Sequence, residues 1–306
     1  MDYLEDSNRK HVKTVLDAHG FDELTETQEH AFRSGAMEDG NHLLIAETGN
    51  GKTLVAESKV RKALSNGEQV AYLVPSTRLV NDKYDEISEW AEGNWKVKKY
   101  SYSKADVTVA TFESYYYHVL NNPANAKKYG LVVQDDFHEL YSSFRGPGIE
   151  KGIAATLEAG TDMFSMSATI GKPEEIADWI NADLIVSPEE RASPIREFAV
   201  DTHESDKQKG EQVINFLRKH RDDTPFLIFN YSRRNTESRA EKAAEANIFR
   251  RPSVNYREKL RSKLGGALNN DMEDLADMMK HGVGYNHAGL EKDIRDFVVE
   301  EYKEGN

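Results

Sequence analysis

Ala46-Glu-Thr-Gly-Asn-Gly-Lys-Thr53 fits the pattern of a phosphate-binding loop, with alanine where the first glycine usually stands. A short apolar run, His42 to Ile45, precedes it, and a helical pattern, Leu54 to Leu64, follows. Strand, glycine loop and helix in that order are what phosphate binding requires. The backbone N–H groups of Gly49, Gly51 and Lys52 then sit at a helix N-terminus, where the dipole favours anions. Glu47, Thr48 and Asn50 complete the loop. In this pattern Lys52 reaches the β- and γ-phosphates and the Thr53 hydroxyl ligates Mg²⁺. A Gly-Lys-Thr triplet arises often by chance as a plain strand-to-helix turn. Its placement between strand and helix favours nucleotide binding.

A second string, Asp135-Asp-Phe-His138, follows the apolar run Leu131 to Val133. An acidic residue at the end of a buried strand is where nucleotide-binding folds hold Mg²⁺, so Asp135 is the candidate ligand. Taken alone, the string also reads as a solvated acidic loop. Further apolar runs are Val70–Val74, Val107–Ala110, Met163–Phe164, Leu184–Val186 and Phe226–Phe229. Helix-length segments, Arg78 to Trp90, Glu150 to Leu157 and Pro173 to Ile180 among them, lie between them. This alternation predicts an α/β protein with parallel sheets.

A chain of 306 residues suits about two domains and buries a sizeable core. It contains 38% hydrophobic and 30% charged residues, no run long enough for a membrane span, and an acidic start without a signal-peptide pattern. The absence of cysteine excludes disulfides and thiol chemistry. A cytoplasmic location is expected. The net charge of −13 argues against a generally sticky nucleic-acid binder while leaving room for a local basic groove. Acidity of this kind is also a mark of adaptation to high salt. Of 53 acidic and 40 basic residues, 21 and 19 lie from Glu197 onward, so most of the negative charge belongs to the first part. The basic stretch Arg250, Arg251, Arg257, Lys259, Arg261 and Lys263 reads as a solvated helix face or a binding patch. The proline-bearing stretch Ser187–Pro194 is the linker candidate, giving domains 1–190 and 191–306.

Taken in order, these motifs resemble superfamily 2 helicases, most of all the DExH translocases of the superkiller and archaeal DNA-repair type. Phe21 and Gln28 look like the motif that reads adenine, through ring stacking and a side-chain amide. Pro75-Ser-Thr-Arg-Leu-Val-Asn-Asp-Lys-Tyr84, with Arg78 and Asn81, resembles a motif that grips the nucleic-acid backbone, and Ala110-Thr-Phe-Glu113, with Thr111, resembles the next one. Ser167-Ala-Thr169 is similar to the motif that couples hydrolysis to strand movement. Phe226 to Arg234, with Ser232 and Arg233, resembles the first strand and turn of a second lobe, and Gly282 to Gly289 resembles a later segment of it. The resemblance implies two RecA-like P-loop NTPase lobes, ATP with Mg²⁺ as cofactors, and single-stranded or partly duplex DNA or RNA as partner. It implies ATP-driven unwinding, with 3′→5′ translocation. Lys52, Asp136 and His138 become the catalytic candidates, and Ser167 with Thr169 the coupling pair. Residue by residue the blander readings are a core aromatic for Phe21, a hydrogen-bonded loop histidine for His138, a strand-end turn for Ser167–Thr169 and a β-branched strand residue for Thr111. Of Tyr115, Tyr116 and Tyr117, no more than two could share a base-stacking groove, because helical residues in sequence point in different directions.

Two departures bear on the chemistry. Asp136 stands where the family usually has glutamate to position the attacking water. A catalytic group misplaced by about 1 Å can lose about 100-fold in rate. The family's sequence also continues, beyond the point where this one stops, with a strand and an arginine-rich motif carrying a catalytic arginine. The expectation is therefore an incomplete second lobe and weak hydrolysis, with the lobe completed by a second chain carrying those motifs, or belonging to a split or decayed gene, or cut short. Two alternatives stay open: a non-hydrolysing ATP- and nucleic-acid-binding module, and a P-loop enzyme acting on a small molecule.

Overall fold

The computed structural model describes residues 1–101, 103–188 and 206–305. The chain divides into two compact units, Met1–Arg196 and Glu197–Asn306. From residue 189 onward the linker candidate Ser187–Pro194 lies outside the described residues.

The first unit is built on one sheet of β1 (Asn41–Ile45), β2 (Gln69–Val74), β3 (Val97–Lys99), β4 (Val107–Thr111), β5 (Tyr129–Gln134), β6 (Asp162–Ser167) and β7 (Ala182–Val186). Its order is β3-β4-β2-β5-β6-β1-β7, and every pair is parallel. The apolar runs at residues 42–45, 70–74, 107–110, 131–133, 163–164 and 184–186 all fall in strands. Their near-continuous hydrophobicity follows from helices covering both faces of a parallel sheet.

Alternation within a strand divides the core in two. Val70, Tyr72 and Val74 face one cluster, with Val55, Val60 and Leu64 of helix Lys52–Ser65 and Val12, Val15 and Leu16 of helix Asp6–His19. Ala71 and Leu73 face the other, with Phe112, Tyr115, Ile149 and Ile153 of helices Phe112–Asn121 and Gly146–Ala159. Tyr115 is fully buried, and its hydroxyl meets Thr156 Oγ1 at 2.9 Å, so it serves the core and not a groove. Strand β3 is short, carries two lysines and lies at the sheet edge, where charge discourages further pairing.

The second unit departs from expectation. Its described residues form helices Asp206–Lys219, Arg233–Glu245, Tyr256–Leu264, Asn270–Met279 and Lys292–Lys303, of which the last four pack around Tyr256, Leu260, Leu275, Ala276, Ile294 and Phe297. Among the described residues it has no strand, so the parallel sheet expected for a second lobe is not formed there. The run Phe226–Phe229 carries no regular structure. An isolated strand leaves its N–H and C=O groups unpaired, and no neighbouring strand is present to take them. Two of its apolar side chains stay outside, Leu227 at 66% and Phe229 at 86% exposed, while Phe226 packs on Phe216 and Phe249. Of the basic stretch, Arg257, Lys259, Arg261 and Lys263 form an ion-paired face of helix Tyr256–Leu264, while Arg250 and Arg251 precede that helix. Arg257 meets Asp277 at 2.7 Å, Arg261 meets Glu273 at 3.7 Å, and Lys259 and Lys263 pair with Glu301 and Glu300.

Candidate nucleotide site

Parallel strands place their carboxyl ends along one edge, where open α/β sheets bind ligands. Along this edge β1 leads into residues 46–53, β5 into Asp135, β6 ends at Ser167, β2 leads into Pro75 and β4 ends at Thr111. Because β6 lies between β1 and β5, Ser167 sits between the glycine loop and the acidic pair.

The loop is shaped by two glycines. Gly51 has φ +80°, a left-handed conformation that starts helix Lys52–Ser65. A Cβ there would overlap Gln28 Nε2 and stand 3.0 Å from its Cδ. Gly49 has φ +88° with open space beside it, so backbone strain alone favours glycine. Lys52 Nζ donates to the carbonyls of Ala46 at 2.5 Å and Glu47 at 3.0 Å, folding back over its own loop. Burial pulls its pKa below the usual lysine range, opposed by the charges of Asp135, Asp136 and Glu47. Asn50 is buried, and its Nδ2 has no partner. An orphaned amide, an ammonium parked on backbone carbonyls and an open glycine cradle suit a polyphosphate.

The acidic pair is held from beneath. Asp135 Oδ2 accepts from the buried Tyr72 hydroxyl at 3.2 Å, and Oδ1 accepts from the Asp136 N–H at 3.0 Å. Burial raises the Asp135 pKa, while Lys83 draws it down. The Tyr72 phenol is pushed up by burial and then by Asp135. Asp136 adopts φ +55° and ψ +46°, a left-handed backbone uncommon outside glycine and typical of constrained sites. Among the described residues no group of three or more His, Asp or Glu side chains is arranged for a metal. Thr53 follows Lys52 at the start of the helix after the glycine loop and Asp135 follows β5 along the same edge, so a Mg²⁺ held there would draw its other ligands from phosphate and water. His138 Nδ1 lies 3.4 Å from Ser167 Oγ, which itself donates to the Thr169 carbonyl at 3.0 Å. The histidine of the acidic string and the Ser-Ala-Thr string therefore touch.

Gln28 has a use in this structure that its sequence motif does not suggest. Its Oε1 accepts from Thr25 N–H at 2.9 Å in a capping box, and its Nε2 donates to the Gly51 carbonyl at 3.2 Å. The amide thus fastens helix Glu26–Arg33 to the glycine loop. Phe21 is 54% exposed and stacks on His19 with ring centroids 5.9 Å apart, which excludes the core-aromatic reading.

At the other loops, Ser76 caps helix Thr77–Ala91 and Thr111 caps helix Phe112–Asn121 through Ser114 N–H. Pro75 is half-buried, Arg78 is exposed and loosely paired with Asp82 at 3.8 Å, and Asn81 accepts from Lys99 at 2.9 Å. Ser232 caps helix Arg233–Glu245, which Arg233 begins, and both belong to the second unit. Two residues that the motifs do not point to stand out. Tyr72 is hidden inside an apolar run, so its hydroxyl gives no sequence signal. Arg145, in Arg145-Gly-Pro147, carries only the weak signal of a proline-marked helix start.

Residues 25–176 match the model of the DEAD/DEAH box helicase family. It is 29% identical over 315 residues to the ATP-dependent DNA helicase Hel308 of Thermococcus kodakarensis, covering 96% of this chain and 28% of that protein. It is 29% identical to the Hel308 of Pyrococcus horikoshii, covering 96% of this chain and 43% of the relative, and 27% identical to that of Caldivirga maquilingensis, with 95% and 42% covered. The chain thus spans less than half the length of these relatives. Among solved structures, the DUF1998 helicase MrfA superposes with a TM-score of 0.59 at 18% identity, covering 89% of this chain and 44% of that one, a likeness of fold.

Proposed function

We propose that this chain is the ATP-binding part of a DNA-directed helicase or translocase. The carrying observation is convergence: the glycine loop, the acidic pair, Ser167 and both candidate grip loops lie along one edge of one sheet. In this reading Lys52 leaves its loop carbonyls to bind the terminal phosphates, and Thr53 and Asp135 hold Mg²⁺. The ion, when bound, neutralises charge developing on the transferred phosphoryl group. Asp136 orients the attacking water. His138, through Ser167 and Thr169, senses the state of the site. Phe21 stacks on the base, with Gln28 beside the loop. Pro75, Arg78, Asn81 and Thr111 hold the strand by its backbone, so binding is largely independent of sequence, and Ser232 and Arg233 are the second unit's own candidate strand contacts. DNA is favoured over RNA because the relatives named above are DNA helicases. Movement is 3′→5′, as the family resemblance implies, and the protein works in the cytoplasm. No described helix is long and apolar enough to cross a membrane. The exposed run around Leu227 and Phe229 supports a second lobe completed by further strands, which a partner chain would supply.

The test is equilibrium titration with a fluorescent ATP analogue and Mg²⁺, followed by phosphate release in saturating single-stranded DNA. Lys52→Ala should abolish or greatly weaken binding. Asp136→Glu should raise turnover and Asp136→Asn should remove it. Equal affinity in wild type and Lys52→Ala would overturn the site. A second reading, a binding module without hydrolysis, is favoured by the short Asp136 side chain on its constrained backbone. It predicts analogue binding with no phosphate release in any Asp136 variant.

A further inference from the structure

The side chain of Arg145 is only 23% exposed and reaches three segments that are distant in sequence. Its Nε donates to the Glu113 carboxylate, one Nη donates to Glu139 Oε2 at 3.0 Å, and the other Nη donates to the Pro75 carbonyl. Pro75 follows β2 directly. Glu113 lies in the first turn of the helix that follows β4. Glu139 lies in the short helical turn Phe137–Tyr141, three residues beyond Asp136. Strands β4, β2 and β5 are consecutive in the sheet. One guanidinium therefore ties the ends of three adjacent strands, two of which carry the candidate grip loops and the third the acidic pair.

The backbone fixes where this side chain starts. The Arg145 N–H donates to Ser142 Oγ at 3.3 Å, and the next N–H, of Gly146, donates to the Ser142 carbonyl at 2.7 Å. A Cβ at residue 146 would overlap the Leu140 carbonyl oxygen, so only glycine lets the chain pass this close to the turn that holds His138. Three acceptors in three directions demand a planar fork with several fixed donors, which lysine does not have. Exposed ion pairs contribute little to stability. What this half-buried cluster adds is register between loops that no backbone ladder connects beyond the strand ends.

We propose that Arg145 is a positioning residue that couples strand binding at the Pro75 and Thr111 loops to the Asp135–His138 segment of the nucleotide site. The proposal rests on the helicase reading above. A phosphate backbone pulling on either loop shifts the Pro75 carbonyl or the Glu113 carboxylate. Arg145 follows, and Glu139 carries the displacement to the turn bearing His138. Allosteric coupling is reciprocal, so nucleotide must alter strand affinity by the same factor as strand alters nucleotide affinity.

The experiment measures that factor on the full chain, without relying on hydrolysis. Affinity for a fluorescent ATP analogue with Mg²⁺ is titrated with and without saturating oligo-dT, and oligo-dT affinity is titrated with and without the analogue. The wild type should show a coupling of roughly 5- to 150-fold. In Arg145→Ala the coupling should fall to within about twofold of unity, the floor of such a titration, with the analogue affinity measured alone shifting by less than about threefold. Arg145→Lys, which keeps the charge but not the fork, should recover only a minor part of it, and it decides the matter if the alanine variant does not fold. Coupling that persists in either variant overturns the proposal and leaves the helicase reading intact. A wild type that binds the analogue but shows no oligo-dT binding, or no coupling, overturns the helicase reading and this proposal with it.

Discussion

Replacing Gly51 with alanine tests whether Gln28 is what holds the phosphate loop in shape. Two costs are built into the site. The first is the backbone: alanine at φ +80° costs about 1–2 kcal/mol. The second is Gln28, whose Nε2 occupies the space that the new Cβ needs. Moving that amide away breaks its bond to the Gly51 carbonyl and its capping bond from Thr25 N–H. The lost cap costs about 1 kcal/mol. Leaving the buried amide unpaired costs about 1–3 kcal/mol more. The total is about 3–6 kcal/mol, a fall in Tm on the order of 10 °C for a unit of this size. All three tryptophans, Trp90, Trp95 and Trp179, lie in the first unit, so intrinsic fluorescence in a urea titration follows that unit alone. Four proteins close the cycle: wild type, Gly51→Ala, Gln28→Ala and the double variant. With Gln28 shortened only the backbone cost remains, so Gly51→Ala should cost about 1–2 kcal/mol there, a coupling of about 2–4 kcal/mol. The same penalty in both backgrounds would refute the clasp and leave the glycine as a matter of φ alone.

Three further outcomes follow from the same geometry. Tyr72→Phe removes the hydroxyl that orients Asp135 while keeping the buried ring, so the Mg²⁺ concentration for half-maximal analogue binding should rise about 10-fold or more; an unchanged Mg²⁺ profile would remove Tyr72 from the site. His42 is fully buried, and burial, with Lys59 beside it, lowers its pKa from 6.5 to about 4. The unfolded chain then binds a proton that the folded one refuses between those values, so this contribution is intact above pH 6.5 and is lost as pH falls towards 4. Wild type should lose about 3 kcal/mol more than His42→Leu over that window in pH-dependent urea unfolding, and parallel profiles would refute the assignment. In hydrogen exchange, amides of Phe226–Phe229 should be poorly protected against those of Val70–Val74 and Leu131–Val133; equal protection would mean that the second unit pairs this run into a sheet.

The first unit was largely legible because its signals are local. Apolar runs two to five residues long separated by helix-length segments read as strands buried on both faces, which predicts a parallel sheet. The glycine loop reads from its spacing, since left-handed positions at Gly49 and Gly51 restrict the residue type. What stayed hidden are side chains whose partners are distant in sequence. Tyr72 looks like any strand aromatic until β2 and β5 are paired and its hydroxyl falls under Asp135. Arg145 looks like a surface arginine until three strand ends converge on it. The motif points Gln28 at a base edge, whereas in this structure its amide also links Thr25 to Gly51. The run Phe226–Phe229 was read as a strand from its composition. Composition records the preference for a pleated, half-buried surface, but a strand also needs a partner, and the described second unit offers none.

The bonds along this edge differ in whether ligand binding has to exchange them. Lys52 donates to Ala46 and Glu47 and must release both to reach a phosphate. Hydrogen bonds to a charged group are each worth about 1.5–3 kcal/mol, so the release is costly unless phosphate oxygens replace the carbonyls. The carbonyl of Gly51, by contrast, is held by Gln28, which keeps the loop's far end fixed while Lys52 swings. His138 and Ser167 meet at 3.4 Å, a long contact that needs only a small displacement to tighten or break. Arg145 spans the same edge from the other side through three acceptors. The edge therefore combines one loop that is pinned, one lysine poised to leave, and two contacts sensitive to sub-ångström shifts. That arrangement would let the binding of a phosphate at one strand end be felt at two others without any change in the sheet beneath them.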